Sequence, residues 1–216
     1  MKEIELSGEY LVNTSGTSDG SQDKYKKDDK WYKIDGREKE GYNEELVSGI
    51  LEFSNLTDIQ FVKYEQVLIN GKPGCASKDF CLPGEEDVSI YRLYANVHGG
   101  DIAKALSMMD MDDAIEYTID FVKEQTGLDI TEYLANTIAL DQLILNTDRH
   151  MNNFCVIHNT NNDTFRMAPI FDNGRSFFCG DKKFNVDLSI RENLSHLVFR
   201  PFSASANLMV NYLRKY

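Results

Sequence analysis

The chain has 216 residues and a formal net charge of −12, from 23 Lys and Arg against 35 Asp and Glu. Such a surface repels phosphate backbones and anionic bilayers, which argues against nucleic-acid binding as the main role and against a membrane partner. With 42% hydrophobic residues the length suits one large domain or two small lobes, and no run nears the roughly 18 apolar residues of a membrane span.

The first residues, Met1-Lys2-Glu3-Ile4-Glu5, lack the apolar core of a secretory leader. Cys75, Cys81, Cys155 and Cys179 form no C-x-x-C pair, so they read as reduced thiols. Cytoplasmic residence is expected, with leaderless export as the alternative.

Along the chain, residues 9–13 read as a short strand and residues 14–21 as a loop of small residues. In that loop Gly16 and Gly20 permit a tight turn whose N–H groups suit phosphate, with Thr17, Ser18 and Ser21 adding hydroxyls. Residues 30–34, Lys-Trp-Tyr-Lys-Ile, predict a second strand. A lysine inside an apolar strand is costly unless it meets an anion, so Lys33 calls for one. Either Glu44 or Glu45, in the next helix, can supply it.

Asn43 is the predicted cap of that helix, whose apolar positions Leu46, Val47, Ile50, Leu51 and Phe53 recur at helical spacing. Residues 59–69 read as a strand, Asn70-Gly71 as a tight turn and residues 74–80 as the returning strand. Pro83-Gly84 marks a break, dividing a sheet-rich half, residues 1–82, from a mainly helical half, residues 83–216. Helices are expected over 101–109, over 112–125 with Gly127 closing it, over 131–145 capped by Thr131, and over 205–216. A hairpin pairs residues 153–158 with 165–171. The order predicts an α+β fold of two lobes.

The chemistry concentrates in two motifs flanking that hairpin. Residues 146–153 read Asn-Thr-Asp-Arg-His-Met-Asn-Asn, and residues 168–174 read Ala-Pro-Ile-Phe-Asp-Asn-Gly. Phosphoryl transfer needs a carboxylate to orient a hydroxyl and oxygen ligands to hold Mg²⁺ against phosphates. Asp148, Asn153 and Asp172 have the types and spacing for those roles. Either motif alone is an ordinary turn; the two in order around a hairpin are far more specific. Arg149 and His150 are expected to brace the loop, Arg149 by pairing with an acidic residue.

These motifs resemble the HipA family of bacterial serine/threonine kinases and, more distantly, the D-R-H-x-x-N of phosphoinositide lipid kinases. Residues 16–24 resemble that family's phosphate loop, Trp31-Tyr32-Lys33 its lysine strand, and residues 76–80 its hinge. The resemblance implies a protein-kinase-like fold binding ATP and Mg²⁺. It makes Asp148 the base, Asn153 and Asp172 the metal ligands, and Lys33 the holder of the α and β phosphates. Asp79 and Phe80 would then receive adenine, with Glu44, His150 and the phosphate loop completing the nucleotide site. It also implies a protein substrate, a toxin or effector role with an antitoxin partner, and self-modification at Ser18 or Ser21. Asn152 and Arg149 depart from some members. The chain ends at Tyr216, where full-length members continue with more helices. A lipid or small-molecule phosphotransferase and a non-catalytic nucleotide-binding module are the rival readings.

Overall fold

The computed structural model describes residues 1–12, 22–36, 38–57 and 60–215. The chain divides into two compact units, Met1–Phe80 with Pro169–Gly180, and Cys81–Ala168 with Asp181–Tyr216. Residues 169–180, assigned from sequence to the second half, thus cluster with the first. Both units mix strands and helices, the α+β class expected.

Unit one is built from β1 (Lys2–Ile4), β2 (Leu11–Val12), β3 (Lys24–Lys27), β4 (Lys30–Ile34), α1 (Glu40–Leu51), β5 (Tyr64–Ile69) and β6 (Lys72–Lys78). The strands form one sheet in the order β1-β5-β6-β4-β3-β2. Only the β1–β5 pair is parallel; the others are antiparallel. Alternation along β4 sends Tyr32 and Ile34 into a core with Tyr25, Val67, Ile69 and Ala76, and Lys33 to the opposite face.

Two sequence signals hold closely. The β4 bounds match, and Asn70-Gly71 joins β5 to β6 with both residues at positive φ (51° and 74°), the type I′ hairpin geometry. Others shift. Residues 8–10 form a single 3₁₀ turn, and among the described residues of that stretch Leu11–Val12 is strand. The strand read over 59–69 begins at Tyr64; ahead of it Phe61 bridges Ile170, and Val62 N donates to Ile170 O at 2.9 Å.

Gly41 lets α1 approach the sheet, and Gly74 lets strands β4 and β6 pair closely. A Cβ on Gly41 would lie 2.7 Å from the Gly74 carbonyl carbon, and one on Gly74 2.2 Å from Lys33 O. Backbone cannot yield that much, so these positions require glycine.

Unit two contains β7 (Glu85–Ser89), α2 (Ile90–His98), α3 (Ile102–Leu106), α4 (Met111–Thr126), α5 (Thr131–Ile144), β8 (Cys155–Asn159), β9 (Thr164–Met167), α6 (Ile190–Leu194) and α7 (Ala206–Leu213). The hairpin β8–β9 gains β7 as a third strand, which the sequence did not announce. Helices α4 and α5 pack their apolar faces around Ile115, Val122, Leu134 and Ile138, and α7 adds Met209 and Leu213. Gly127 closes α4 at φ 76°, as its position predicts. Thr131 does not cap α5. Instead Asp129 accepts from Thr131 N at 3.0 Å. Among the described residues no helix is long and apolar enough to cross a membrane.

Candidate active site

Lys33 is the centre of the polar cluster in unit one. Its ammonium lies 2.9 Å from Asp172 Oδ1 and 3.3 Å from Glu44 Oε1, and 5.5 Å from the centre of the Tyr64 ring. The lysine side chain is 14% exposed and that of Glu44 only 3%. Burial by itself would drive the amine toward its neutral form. The charges of Asp172, Tyr64 and Glu44 outweigh it, and Lys33 stays protonated well above its ordinary range. Glu44 is pushed up by burial and by the Asp172 charge, against the pull of Lys33 and of the Asn173 N–H. Of the two glutamates left open by the sequence, Glu44 is the partner. Glu45 accepts from Gln66 N at 3.2 Å instead.

Helix α1 carries both Glu44 and the residue that positions the Asp172 loop. Asn43 is not the cap: the helix starts three residues earlier, and Asp35 Oδ1 accepts from Gly41 N at 2.7 Å near its start. Buried within α1, Asn43 donates to Gly174 O at 3.0 Å and to Ser176 O at 2.8 Å. Glu44 Oε2 accepts from Asn173 N at 2.9 Å. The loop is thus gripped by backbone contacts on both sides of Gly174. Asp172 itself sits at φ 61°, a conformation costly for a non-glycine residue and typical of functional loops. At Gly174 a Cβ would meet Glu40 Cβ at 3.0 Å and Glu40 O at 3.2 Å, so the close approach to α1 favours glycine.

In unit two, the segment between α5 and β8 is organised around Asp141. This buried carboxylate accepts from Arg149 Nε through Oδ2 and from Arg149 Nη2 through Oδ1, both at 2.9 Å, and from Asn146 Nδ2 at 2.9 Å. Arg149 is fully buried, with its guanidinium carbon 5.9 Å from the centre of the Phe154 ring. A bidentate fork satisfied on both sides is how such a charge is tolerated in a core. Leu145 ends α5 at φ 57°. Asp148, between the two anchors Asn146 and Arg149, remains half-buried with its N–H on Asn146 Oδ1 at 3.2 Å. Asn153 turns back on the loop, its N–H on His150 O at 2.8 Å and its side-chain amide 3.4 Å from Asp148 O.

The remaining sequence candidates divide. Gly16, Thr17, Ser18, Gly20 and Ser21 lie outside the described residues. Asp79 has its N–H on Asp29 O at 2.7 Å and its carboxylate on Lys26 at 2.7 Å. Its N–H is thus taken up by Asp29, which leaves the other backbone groups of residues 76–80 for the adenine expected there. Phe80 packs against Phe171 at 5.6 Å between ring centres. His150 does not brace through Nδ1, which is buried and has no hydrogen-bond partner among the described residues. Two residues with strong structural roles, Asp141 and Asn43, were not assigned those roles from sequence. An acidic residue on the apolar face of α5 was the available signal for Asp141.

Among the described residues no group of three or more His, Cys, Asp or Glu forms a metal cage. The side chains fit Mg²⁺ in another way. That ion takes one or two protein oxygens and fills its shell with water and phosphate oxygens. Asp172, a third exposed beside a lysine that stays cationic, is a donor of that kind.

No protein-family model matches the sequence, and no curated protein sequence matches it. Among solved structures, the crystal structure of the Helicobacter pylori proinflammatory kinase CtkA is similar, with a TM-score of 0.63 and 19% sequence identity. The match covers 92% of this chain and 70% of that one. At that identity the likeness concerns the backbone, and this chain shares the fold of that kinase.

Proposed function

We propose that the protein is an ATP-dependent kinase of the HipA-like kind, transferring phosphate to serine or threonine of a protein substrate. The observation that carries this reading is the contact of Lys33 with Asp172 and Glu44, a lysine kept cationic by two carboxylates of which Asp172 is a third exposed. The likeness of the fold to a kinase adds to it.

Mg²⁺, when bound, neutralises charge on the transferring phosphate. Lys33 is the residue for the α and β phosphates, oriented by Glu44. Asp172 would be a ligand of that ion, and Asn153 is the second ligand that the resemblance implies. Asp148 accepts the hydroxyl proton as the nucleophile oxygen bonds to the γ-phosphorus and the bond to the bridging oxygen of departing ADP breaks. The Asp141–Arg149 fork keeps the backbone of the Asp148 loop in place without touching substrate. A toxin or effector role with an antitoxin partner, and self-modification at Ser18 or Ser21, belong to the same proposal.

The test offers γ-labelled ATP and Mg²⁺ with a protein extract in one arm and phosphoinositide vesicles in the other. Label on serine or threonine of protein is expected. Label in lipid alone would establish the lipid-kinase rival. Nucleotide binding with no label in either arm would leave a non-catalytic module.

A further inference from the structure

Lys33 is held by more than its two carboxylates. The pairing of β4 with β6 sets Lys33 opposite Cys75, and that of β5 with β6 sets Gln66 opposite Cys75. Tyr64, two residues before Gln66, therefore projects from the same sheet face as Lys33, and the ammonium lies over its ring, 5.5 Å from the centre. Tyr64 is 8% exposed and clusters with Val62 and Cys75, against which Phe171, the residue before Asp172, packs.

Helix α1 fixes the tyrosine as well. Ser48 Oγ accepts from Tyr64 N at 3.2 Å and donates to Glu45 O at 3.0 Å. The buried Ser48 stands four positions beyond Glu44, so the two lie on one face of the helix. That face holds Lys33 directly through Glu44, and it holds through Ser48 the backbone from which the Tyr64 ring projects.

The three contacts of the ammonium differ in what a bound metal does to them. Asp172, a third exposed, is the group that the proposed function gives to Mg²⁺, and a carboxylate shared with a divalent ion has less charge left for an ammonium. Glu44 is buried, with its other oxygen on Asn173 N at 2.9 Å. Burial, with the Glu44 charge adding to it, pushes the Tyr64 hydroxyl well above its ordinary range, so the tyrosine is neutral and offers the metal no anionic oxygen. Its ring face attracts a cation through the quadrupole, more strongly where water is excluded.

We infer that Tyr64 is a positioning residue whose ring keeps the Lys33 ammonium in place when Asp172 turns to the metal. The inference rests on the proposed function for the metal alone; the hold of the ring on the lysine belongs to the nucleotide-free protein.

The test reads the lysine first, without nucleotide. Trace acetic anhydride labels free amines, and peptide mass spectrometry follows Lys33 as pH is raised. Asp172→Asn stands in for a carboxylate engaged elsewhere, and asparagine tolerates the φ of 61° at that position. In this variant the labelling of Lys33 should level off about half a pH unit higher than in Asp172→Asn with Tyr64→Leu. Replacing that leucine by phenylalanine, which keeps the ring, should restore the higher value. Tyr64→Met takes the place of Tyr64→Leu if circular dichroism shows the leucine variant unfolded. Calorimetry then reads the metal. With Asp172 intact, Tyr64→Leu should weaken ATP binding about threefold with Mg²⁺ and less without it, because without the ion Asp172 still holds the lysine. A Lys33 profile unmoved by loss of the ring, or moved as far by phenylalanine as by leucine, overturns the positioning role. So does an ATP affinity that falls equally with and without Mg²⁺. A parent protein that binds no ATP refutes the nucleotide reading and the part given to the metal, while the labelling profiles still decide whether the ring holds the lysine.

Discussion

Lys33 and Asp172, 139 positions apart in the chain, meet at 2.9 Å. The contact ties strand β4 to the loop after Ile170 within one unit, and Glu44 closes the cluster from α1. Removing the lysine strands a buried carboxylate. Lys33→Met should therefore destabilise the protein by about 3 kcal/mol, the usual cost of breaking a buried ion pair from one side. Adding Glu44→Leu should restore part of that loss. Urea unfolding of the two single variants and the double variant measures the coupling.

The fork of Arg149 on Asp141 is entirely buried, whereas Asp148 beside it is half-exposed. Asp141→Ala leaves a guanidinium without a counter-charge and should cost about 3–5 kcal/mol. Asp148→Ala should stay within about 0.5 kcal/mol of the parent, as surface changes do. Thermal unfolding separates them, and equal losses would mean that the fork does not organise the loop.

Asn43 satisfies the carbonyls of Gly174 and Ser176. Asn43→Leu leaves both buried oxygens without that donor and should cost about 1–3 kcal/mol. Hydrogen exchange in residues 169–180 should accelerate while that of α4 and α5 holds. Uniform acceleration across the chain would argue against a local tether.

Burial pushes the Cys179 thiol up to about 11, with the Glu40 carboxylate adding to it. An ordinary thiol near pKa 8.5 levels off in alkylation rate above about pH 9, because it is already thiolate. The rate at Cys179 should still be climbing about tenfold per pH unit there. Iodoacetamide labelling followed by peptide mass spectrometry reads it site by site, and a plateau near about pH 9 would contradict the burial account.

The legible parts of this fold were those where one local rule has no competitor. A lysine among apolar strand residues demands an anion, which led to Lys33 and to Glu44 or Glu45. Asn70-Gly71 admits the I′ turn and little else. What stayed hidden depended on partners distant in sequence. Asn43 looked like a helix cap because capping is what a local reading offers asparagine. Its actual acceptors, Gly174 and Ser176, lie more than 130 positions away. Asp141 and Arg149 are eight apart, beyond the reach of neighbours on one helix, so nothing local paired them. Strand β7 carries Glu85, Glu86 and Asp87, which obscure the alternation of an edge strand. The backbone bond from Asp79 to Asp29 joins two segments separated by strand β4, helix α1 and strands β5 and β6, so the place of Asp79 after β6 could not reveal it.

The most direct test of the central claim is transfer of the γ-phosphate from labelled ATP by the parent protein, Asp148→Ala and Asp172→Ala, alongside calorimetric binding of ATP with and without Mg²⁺. The account predicts Mg²⁺-dependent transfer by the parent and none by either variant. It predicts ATP binding retained in Asp148→Ala, and Mg²⁺-dependent binding weakened in Asp172→Ala. Undiminished transfer by both variants, or ATP binding by the parent that ignores Mg²⁺ and Asp172 alike, would contradict it.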